Sequence, residues 1–326
     1  MKAVVCEQYG SIDNLTIKEV NDPTPGKGEV LVKVKAVGVN FPDGLLVQGL
    51  YQAKPELPFT PGSEFCGEIE SLGEGVPHLK PGRRVICMSP SFGAFAEKAV
   101  VNCMMTIPVP PDMPDHDAAN ILCAHGTAHH ALKQRAQLKQ GETLVVLGAA
   151  GGTGLAAVQI GKLMGARVIA VCSTDEKLAI AKENGADELI NYSNENLKDR
   201  IKALTNRKGA DVVYDPVGGD AFKACAGAMA RNGRLLVIGF ASGTIPELAV
   251  NLTLVKEYSV VGVFWGSFVQ HEPKVFMENM QELFTWYKEG GVRIEIDSSF
   301  SLENTAAALN HVMGRQVKGK VVVTTN

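Results

Sequence analysis

The sequence predicts an α/β protein built on a doubly wound parallel sheet, with chain of a different character before and after it. Three observations carry this. Six short apolar runs, TLVVLG, RVIAVC, ELINY, DVVYDPV, RLLVIGF and YSVVGVFW, follow one another between Thr143 and Trp265. Helical or mixed stretches such as TGLAAVQIGKLMG and EKLAIAKENG separate them. Four glycines, Gly148, Gly151, Gly152 and Gly154, stand between the first run and the first helix. Nearly uninterrupted apolar strands spaced by helices are what a parallel sheet buried on both faces requires. Six of them fit the strand order 3-2-1-4-5-6.

The first third reads as β-rich. EVLVKVKAVGV alternates after the turn PTPGKGE, and CGEIESLGEG and RRVICMS follow, punctuated by Gly and Pro. From Asp115 the composition of DHDAANILCAHGTAHHALKQ turns helical, with Asp115 as the expected N-cap. After the sixth apolar run come a helix, EPKVFMENMQELFTWYKEGG, and a last strand, GKVVVTT.

At 326 residues the chain exceeds one ordinary core, so two domains are expected. With 45% hydrophobic and 21% charged residues it has the composition of a soluble globular protein. Lys+Arg 32 against Asp+Glu 35 gives a net charge of −3 without a block of like charges. That argues against a nucleic-acid or membrane-surface partner, which needs concentrated basic charge. No run approaches the roughly 18 apolar residues of a membrane span. MKAVVCEQYG lacks the features of a signal or transit peptide. The seven cysteines contain no CxxC pair, so a reducing cytoplasm is the expected location.

The glycine cluster carries the first functional inference. At a strand-to-helix turn, Gly151 and Gly152 let the backbone approach a pyrophosphate, and Gly154 permits close packing of helix on sheet. Ala150 and Thr153 complete the expected phosphate loop, although Ala149 takes the place of the usual first glycine. The second strand ends at Cys172, where an NAD enzyme places an acid for the ribose 2′-hydroxyl. CSTDEK instead offers Ser173, Thr174 and Lys177, which suits a 2′-phosphate and so NADPH. The competing explanation is structural. Ser173 and Glu176 have capping-box spacing, Lys177 fits a solvated helix face, and Asp175 and Glu176 would repel a phosphate they faced.

With these motifs in hand, the chain resembles the medium-chain dehydrogenase/reductase superfamily, in its zinc-independent quinone oxidoreductase branch. VGVNFPDGLLVQGLYQAKPELPFTPGSEFCGEIESLGEGV is similar to that branch's N-terminal signature, and LGAAGGTGLAAVQIGKLMGA to its cofactor loop. KGADVVYDPVGGDAF, GRLLVIGFASG and GKVVV match in order and spacing. The resemblance implies a GroES-like catalytic domain from residues 1–122 and 267–326, with a Rossmann dinucleotide-binding domain, 123–266, inserted between. It implies that Asn40 and Tyr51 are the catalytic residues, lining the nicotinamide end of a cleft, with Thr127 near the nicotinamide. Ser173, Lys177 and Tyr192 would surround the 2′-phosphate. Ile238, Gly239 and Phe240, with Phe264 and Trp265, would wrap the nicotinamide half.

The resemblance also gives meaning to what is missing. Asn40, Ser63 and Cys123 stand where zinc alcohol dehydrogenases carry Cys, His and Cys. One thiol and the nearby Glu64 are too few ligands, so no metal is expected. A rival zinc site would use His125 and His129, four apart on a helix, but the glutamate of HExxH is absent. The expected reaction is hydride transfer from NADPH to a quinone or other conjugated carbonyl. The alternatives are an alkenal, enone or enoyl-thioester reductase, and a non-catalytic NADPH-binding protein of crystallin-like or RNA-binding type. A homodimer is expected through the apolar edge strand Ser259 to Trp265.

Overall fold

A computed structural model describes residues 1–325. The chain forms two compact units, Met1–Cys123 with Ile294–Asn326, and Ala124–Arg293.

The unit Ala124–Arg293 is built on one six-stranded sheet. Its strands lie in the order Glu188–Asn191, Arg167–Cys172, Thr143–Leu147, Ala210–Asp215, Met229–Val237 and Ser259–Gly262. Every neighbour pairs in parallel, which is the 3-2-1-4-5-6 arrangement of a Rossmann sheet. Its inner strands explain the apolar runs: Leu144 to Leu147 and Val168 to Val171 are fully covered by the packed faces.

The other unit centres on the long strand Glu29–Val39. It pairs antiparallel with Glu64–Leu72, Lys98–Asn102 and Lys320–Thr324. Arg84–Met88 and Thr106–Pro108 extend the sheet on one side, and Ile296–Ser301 on the other. Bulges at Leu31/Val32 and Val34/Ala36 let the long strand serve several partners. Val321 lies opposite Val39 in this register, so the last strand delivers Lys320 to the neighbourhood of Asn40.

Three details differ from the expectations. The break to the return segment falls at Ile294, not at residue 267. Helix Pro273–Lys288 buries Phe276, Met280 and Leu283. It is tied to the segment after Ala124 by bonds from His129 and Lys133 to Glu282 and from Gln134 to Asn279. The sixth strand stops at Gly262, because Trp265 begins the helix Trp265–His271 and packs inward. Asp115 is not the N-cap; Pro114 holds that position, and the Asp115 carboxylate is bonded by Arg84 at 2.6 and 3.0 Å.

Candidate active site

In the Rossmann unit the strand Thr143–Leu147 runs into the glycine turn and the helix Gly152–Leu163. Gly151 is the N-cap and makes no side-chain bond to the helix. Leu155 N–H donates back to Gly151 O, at 2.8 Å. The amides of Gly152, Thr153 and Gly154 precede it, and such first-turn groups have no partner within a helix. A Cβ at Gly154 would lie 2.1 Å from Gly148 O, so only glycine lets the helix start this close to the strand end. A Cβ at Gly151 would meet only Gly148 O, at 3.5 Å, leaving the cradle open. These groups fit a pyrophosphate. The Thr153 hydroxyl is engaged by the buried Tyr214 hydroxyl, which leaves the Thr153 amide as its group for an anion.

The next strand ends at the buried Cys172, with no carboxylate at its tip. Thr174, not Ser173, caps the helix Asp175–Glu183, accepting from Lys177 N–H at 3.3 Å. Tyr192 is brought beside this end by its N–H bond to Cys172 O at 3.1 Å. The Ser193 hydroxyl donates to Ser173 O at 2.8 Å. Asp175, the feared repulsive charge, accepts from the Asn191 amide at 2.6 Å. Ser173 and Tyr192 therefore meet at one sheet end, with Lys177 in the first turn of the adjoining helix.

Ile238, Gly239 and Phe240 leave the strand Met229–Val237 at its carboxyl end, all half-buried. Ile238 N–H and Gly239 N–H both donate to Asp215 O, at 3.0 and 3.4 Å. Thr127 is half-buried on the helix Leu122–His130. Phe264 is 63% exposed, whereas Trp265 is buried. The Trp265 ring covers Gly126, where a Cβ would come 2.9 Å from its Nε1, and it meets Phe276 edge-on at 6.0 Å. On that same helix His125 pairs with Gln159 at 3.3 Å and His129 with Glu282 at 2.6 Å. The two histidines thus turn to different partners.

The unit Met1–Cys123 with its return segment holds a dense polar cluster. Asn40 precedes the helix Phe41–Val47, and its N–H donates to the Asp43 carboxylate at 2.8 Å. Its side-chain amide is stretched between two charges. Asn40 Nδ2 donates to Glu64 Oε2 at 2.8 Å, while Lys320 Nζ donates to Asn40 Oδ1. Glu64 is fully buried; it also accepts from Cys123 N–H at 2.9 Å and lies 3.7 Å from the Lys320 ammonium. Gly38 makes room for this carboxylate, since a Cβ there would lie 2.1 Å from Ala119 O and 3.0 Å from Glu64 Oε2. The Ser63 side chain lies close enough to Asp43 to favour its charged form.

Electrostatics follow from burial. Desolvation raises the Asp43 carboxyl to about 7, against the pull of the Asn40 N–H, Lys320 and Ser63. Burial pushes the Cys123 thiol up to about 12, with Glu64 adding to the shift. Tyr51 lies in the loop after Leu50, and burial raises its phenol above the ordinary value, with Cys123 and Asp43 contributing. Tyr51, Asn40, Ser63 and Cys123 are thus gathered around Asp43, Glu64 and Lys320.

This architecture has known counterparts. The family described as an alcohol dehydrogenase GroES-like domain matches residues 26–111, and that described as a zinc-binding dehydrogenase matches residues 152–283. A quinone oxidoreductase-like protein 2 homolog from Nematostella vectensis is 38% identical over 327 residues, covering 99% of this chain and 89% of that protein. The chain belongs to the quinone oxidoreductase branch of the medium-chain dehydrogenase/reductase superfamily. The Escherichia coli quinone oxidoreductase, solved in complex with NADPH, is similar with a TM-score of 0.93 and 26% identity, covering 100% of both chains. A 2-haloacrylate reductase is similar with a TM-score of 0.87 and 29% identity, again over 100% of both.

Within this branch member, sequence reasoning missed two of the cluster's charges and undervalued a third. Asp43 was hidden inside a helix start, and Lys320 was the first letter of an apolar strand. Glu64 counted only as a spare metal ligand. One signal was available for Lys320: a lone cation in KVVVT, a strand whose valines are all buried.

Proposed function

We propose that the chain is an NADPH-dependent quinone oxidoreductase that transfers a hydride to a quinone or other conjugated carbonyl without zinc. The observation that carries this is the charge cluster around Asn40. A catalytic zinc needs three protein ligands and an open position. Asn40 and Ser63 are poor zinc donors, Cys123 is a single thiol, and an ammonium stands 3.7 Å from Glu64 on the same ground. The donor set does not fit zinc. Without a Lewis acid a simple alcohol or ketone is a poor partner, whereas conjugation in a quinone spreads the incoming charge.

NADPH, when bound, supplies the hydride. The chain's own residues bind, orient and handle the proton. The first-turn amides of Gly152, Thr153 and Gly154 take the pyrophosphate, with Ala150 and the side-chain-free Gly151 leaving room for its approach. Ser173, Lys177 and Tyr192 take the adenosine 2′-phosphate. Thr127, Ile238, Gly239, Phe240 and Phe264 flank the nicotinamide half, and Trp265 supports Gly126 beneath Thr127. On the substrate side Asn40 offers a fixed amide. Tyr51, its phenol held protonated well above neutral pH, donates a hydrogen bond to the oxygen on which charge develops.

The likeness to a 2-haloacrylate reductase favours a second reading, reduction of a conjugated C=C bond. Following NADPH oxidation with a naphthoquinone, a 2-alkenal and an enoyl thioester separates the two. Turnover of the quinone should exceed the others by at least about tenfold, roughly 1.4 kcal/mol in the barrier. Preference for the alkenal would replace the quinone reading, and no turnover at all would favour a binding protein.

The chain's own partner is proposed to be a second copy. Among the described residues the edge strand Ser259–Gly262 pairs only with Met229–Val237. Val263 N–H points inward to Val237 O, and Gly262 O points outward to the Arg135 guanidinium. By alternation the peptide groups of Val260 face outward. Ile245, Val250, Leu254 and Val255 lie nearby in sequence and are strongly exposed. An apolar edge of this kind is normally covered, and a two-fold mate closes it. Light scattering at micromolar concentration should report a dimer, and Val260→Pro, which deletes the outward N–H, should give a monomer. A wild-type monomer would end the dimer proposal.

A further inference from the structure

Lys320 has so far entered only as a charge beside Glu64, yet it is 6% exposed and bonded directly to Asn40. An asparagine amide is nearly symmetric in shape, so its partners decide which end points where. Here the partners are of opposite kinds. An ammonium can only donate, and an ionised carboxylate can only accept. Lys320 Nζ donates to Asn40 Oδ1 and, at 3.4 Å, to Val39 O. Glu64 Oε2 accepts from Asn40 Nδ2 at 2.8 Å. The reversed amide would face an ammonium with its NH2 and a carboxylate with its oxygen, so one orientation is selected. We propose that Lys320 is a positioning residue for hydride transfer: it locks the Asn40 amide in that single orientation, with Glu64 as its opposite partner.

This inference rests on the reading that Asn40 lines the substrate side of the reaction. The sheet register enforces it, because the pairing of Val321 with Val39 brings the first residue of the last strand next to Asn40. Lys320 also acts on Asp43 and Cys123, pulling both toward their charged forms, so the ammonium is the local counter-charge for the whole cluster. In this branch member a tethered cation thus stands on the ground that a metal-ligand set would occupy. Unlike an exchangeable ion, it cannot be removed by a chelator.

A double-mutant cycle tests the assignment. Lys320→Met, Asn40→Ala and their combination are compared in steady-state NADPH oxidation with a naphthoquinone, alongside NADPH affinity by fluorescence titration. If Lys320 acts through Asn40, each single change lowers kcat at least about tenfold, and the double variant is no worse than about twofold below the poorer single. NADPH affinity stays within about threefold, since the phosphate amides are untouched. A merely structural lysine would instead give losses that multiply. Because Lys320→Met leaves a buried carboxylate unpaired, Lys320→Met in a Glu64→Gln background serves as the charge-balanced check. Its kcat should fall below that of Glu64→Gln alone. Wild-type kcat in Lys320→Met, multiplying losses, or equality of the charge-balanced pair with Glu64→Gln would each overturn the assignment. An inactive wild type in the same assay would overturn the quinone reading and this inference together, whereas an active wild type with an indifferent Lys320→Met overturns only this one.

Discussion

Gly154→Val is expected to weaken NADPH binding by about a hundredfold or more. The new Cβ would lie 2.1 Å from Gly148 O, 2.8 Å from Gly148 C and 2.9 Å from the Ala149 Cα. All three are backbone atoms of the turn, so no side chain can swing aside. The start of helix Gly152–Leu163 must lift off the strand end, and its first-turn amides leave the place where a pyrophosphate would sit. Hydrogen bonds to charged groups contribute about 1.5–3 kcal/mol each. Misplacing two of them costs about 3 kcal/mol or more, on the order of a hundredfold in Kd. Overpacking adds about 1–3 kcal/mol of lost stability. Fluorescence titration with NADPH, together with thermal unfolding in its presence and absence, measures both. A variant that keeps wild-type affinity would mean that this turn is not the phosphate cradle.

Lys177→Ala should weaken NADPH by roughly ten- to a hundredfold, the worth of one charge-assisted bond to phosphate. NADH binding should change by less than about threefold, because NADH lacks the 2′-phosphate. The local geometry motivates this. The strand tip at Cys172 carries no acid, Asp175 is drawn to Asn191, and Ser173 and Tyr192 meet at the same end of the sheet. Equal losses for both cofactors would assign Lys177 to the helix rather than to the phosphate.

The parts of the fold with a strong local signature could be foreseen. Parallel strands buried on both faces must be apolar throughout, so TLVVL, RVIAVC and RLLVIG announced themselves and their order. The glycine turn was equally legible, because close approach of backbone to backbone admits no other residue. The helix Pro273–Lys288 was placed with the wrong unit. Its amphipathic pattern says that one face is buried but not against which core, and that choice is made by distant partners, His129, Lys133 and Gln134. The end of the sixth strand was overestimated for a related reason. Phe264 and Trp265 have strand propensity, but Trp265 is drawn inward by the gap over Gly126.

The site divides along the same line. Asn40, Ser63 and Cys123 stood out as substitutions in a known ligand pattern, and they do surround common partners. The charges that organise them carry little local signal: Asp43 sits inside a helix start, Glu64 passes for a spare ligand, and Lys320 is far away in sequence. Glu64 lies 24 residues from Asn40 and Lys320 lies 280. The antiparallel registers of Glu29–Val39 with Glu64–Leu72 and with Lys320–Thr324 join them. A buried lysine in a five-residue strand reads as an ordinary strand end until its neighbours across the sheet are known.

The proposed reaction is hydride transfer to a conjugated carbonyl by a site whose fixed cation is Lys320 and not a metal. The most direct measurement is NADPH:quinone turnover by wild-type protein after exhaustive dialysis against a chelator, with zinc content determined on the same sample. Full turnover at far less than one zinc per chain is the expected result. Turnover that is lost on dialysis and regained in proportion to added zinc would contradict it.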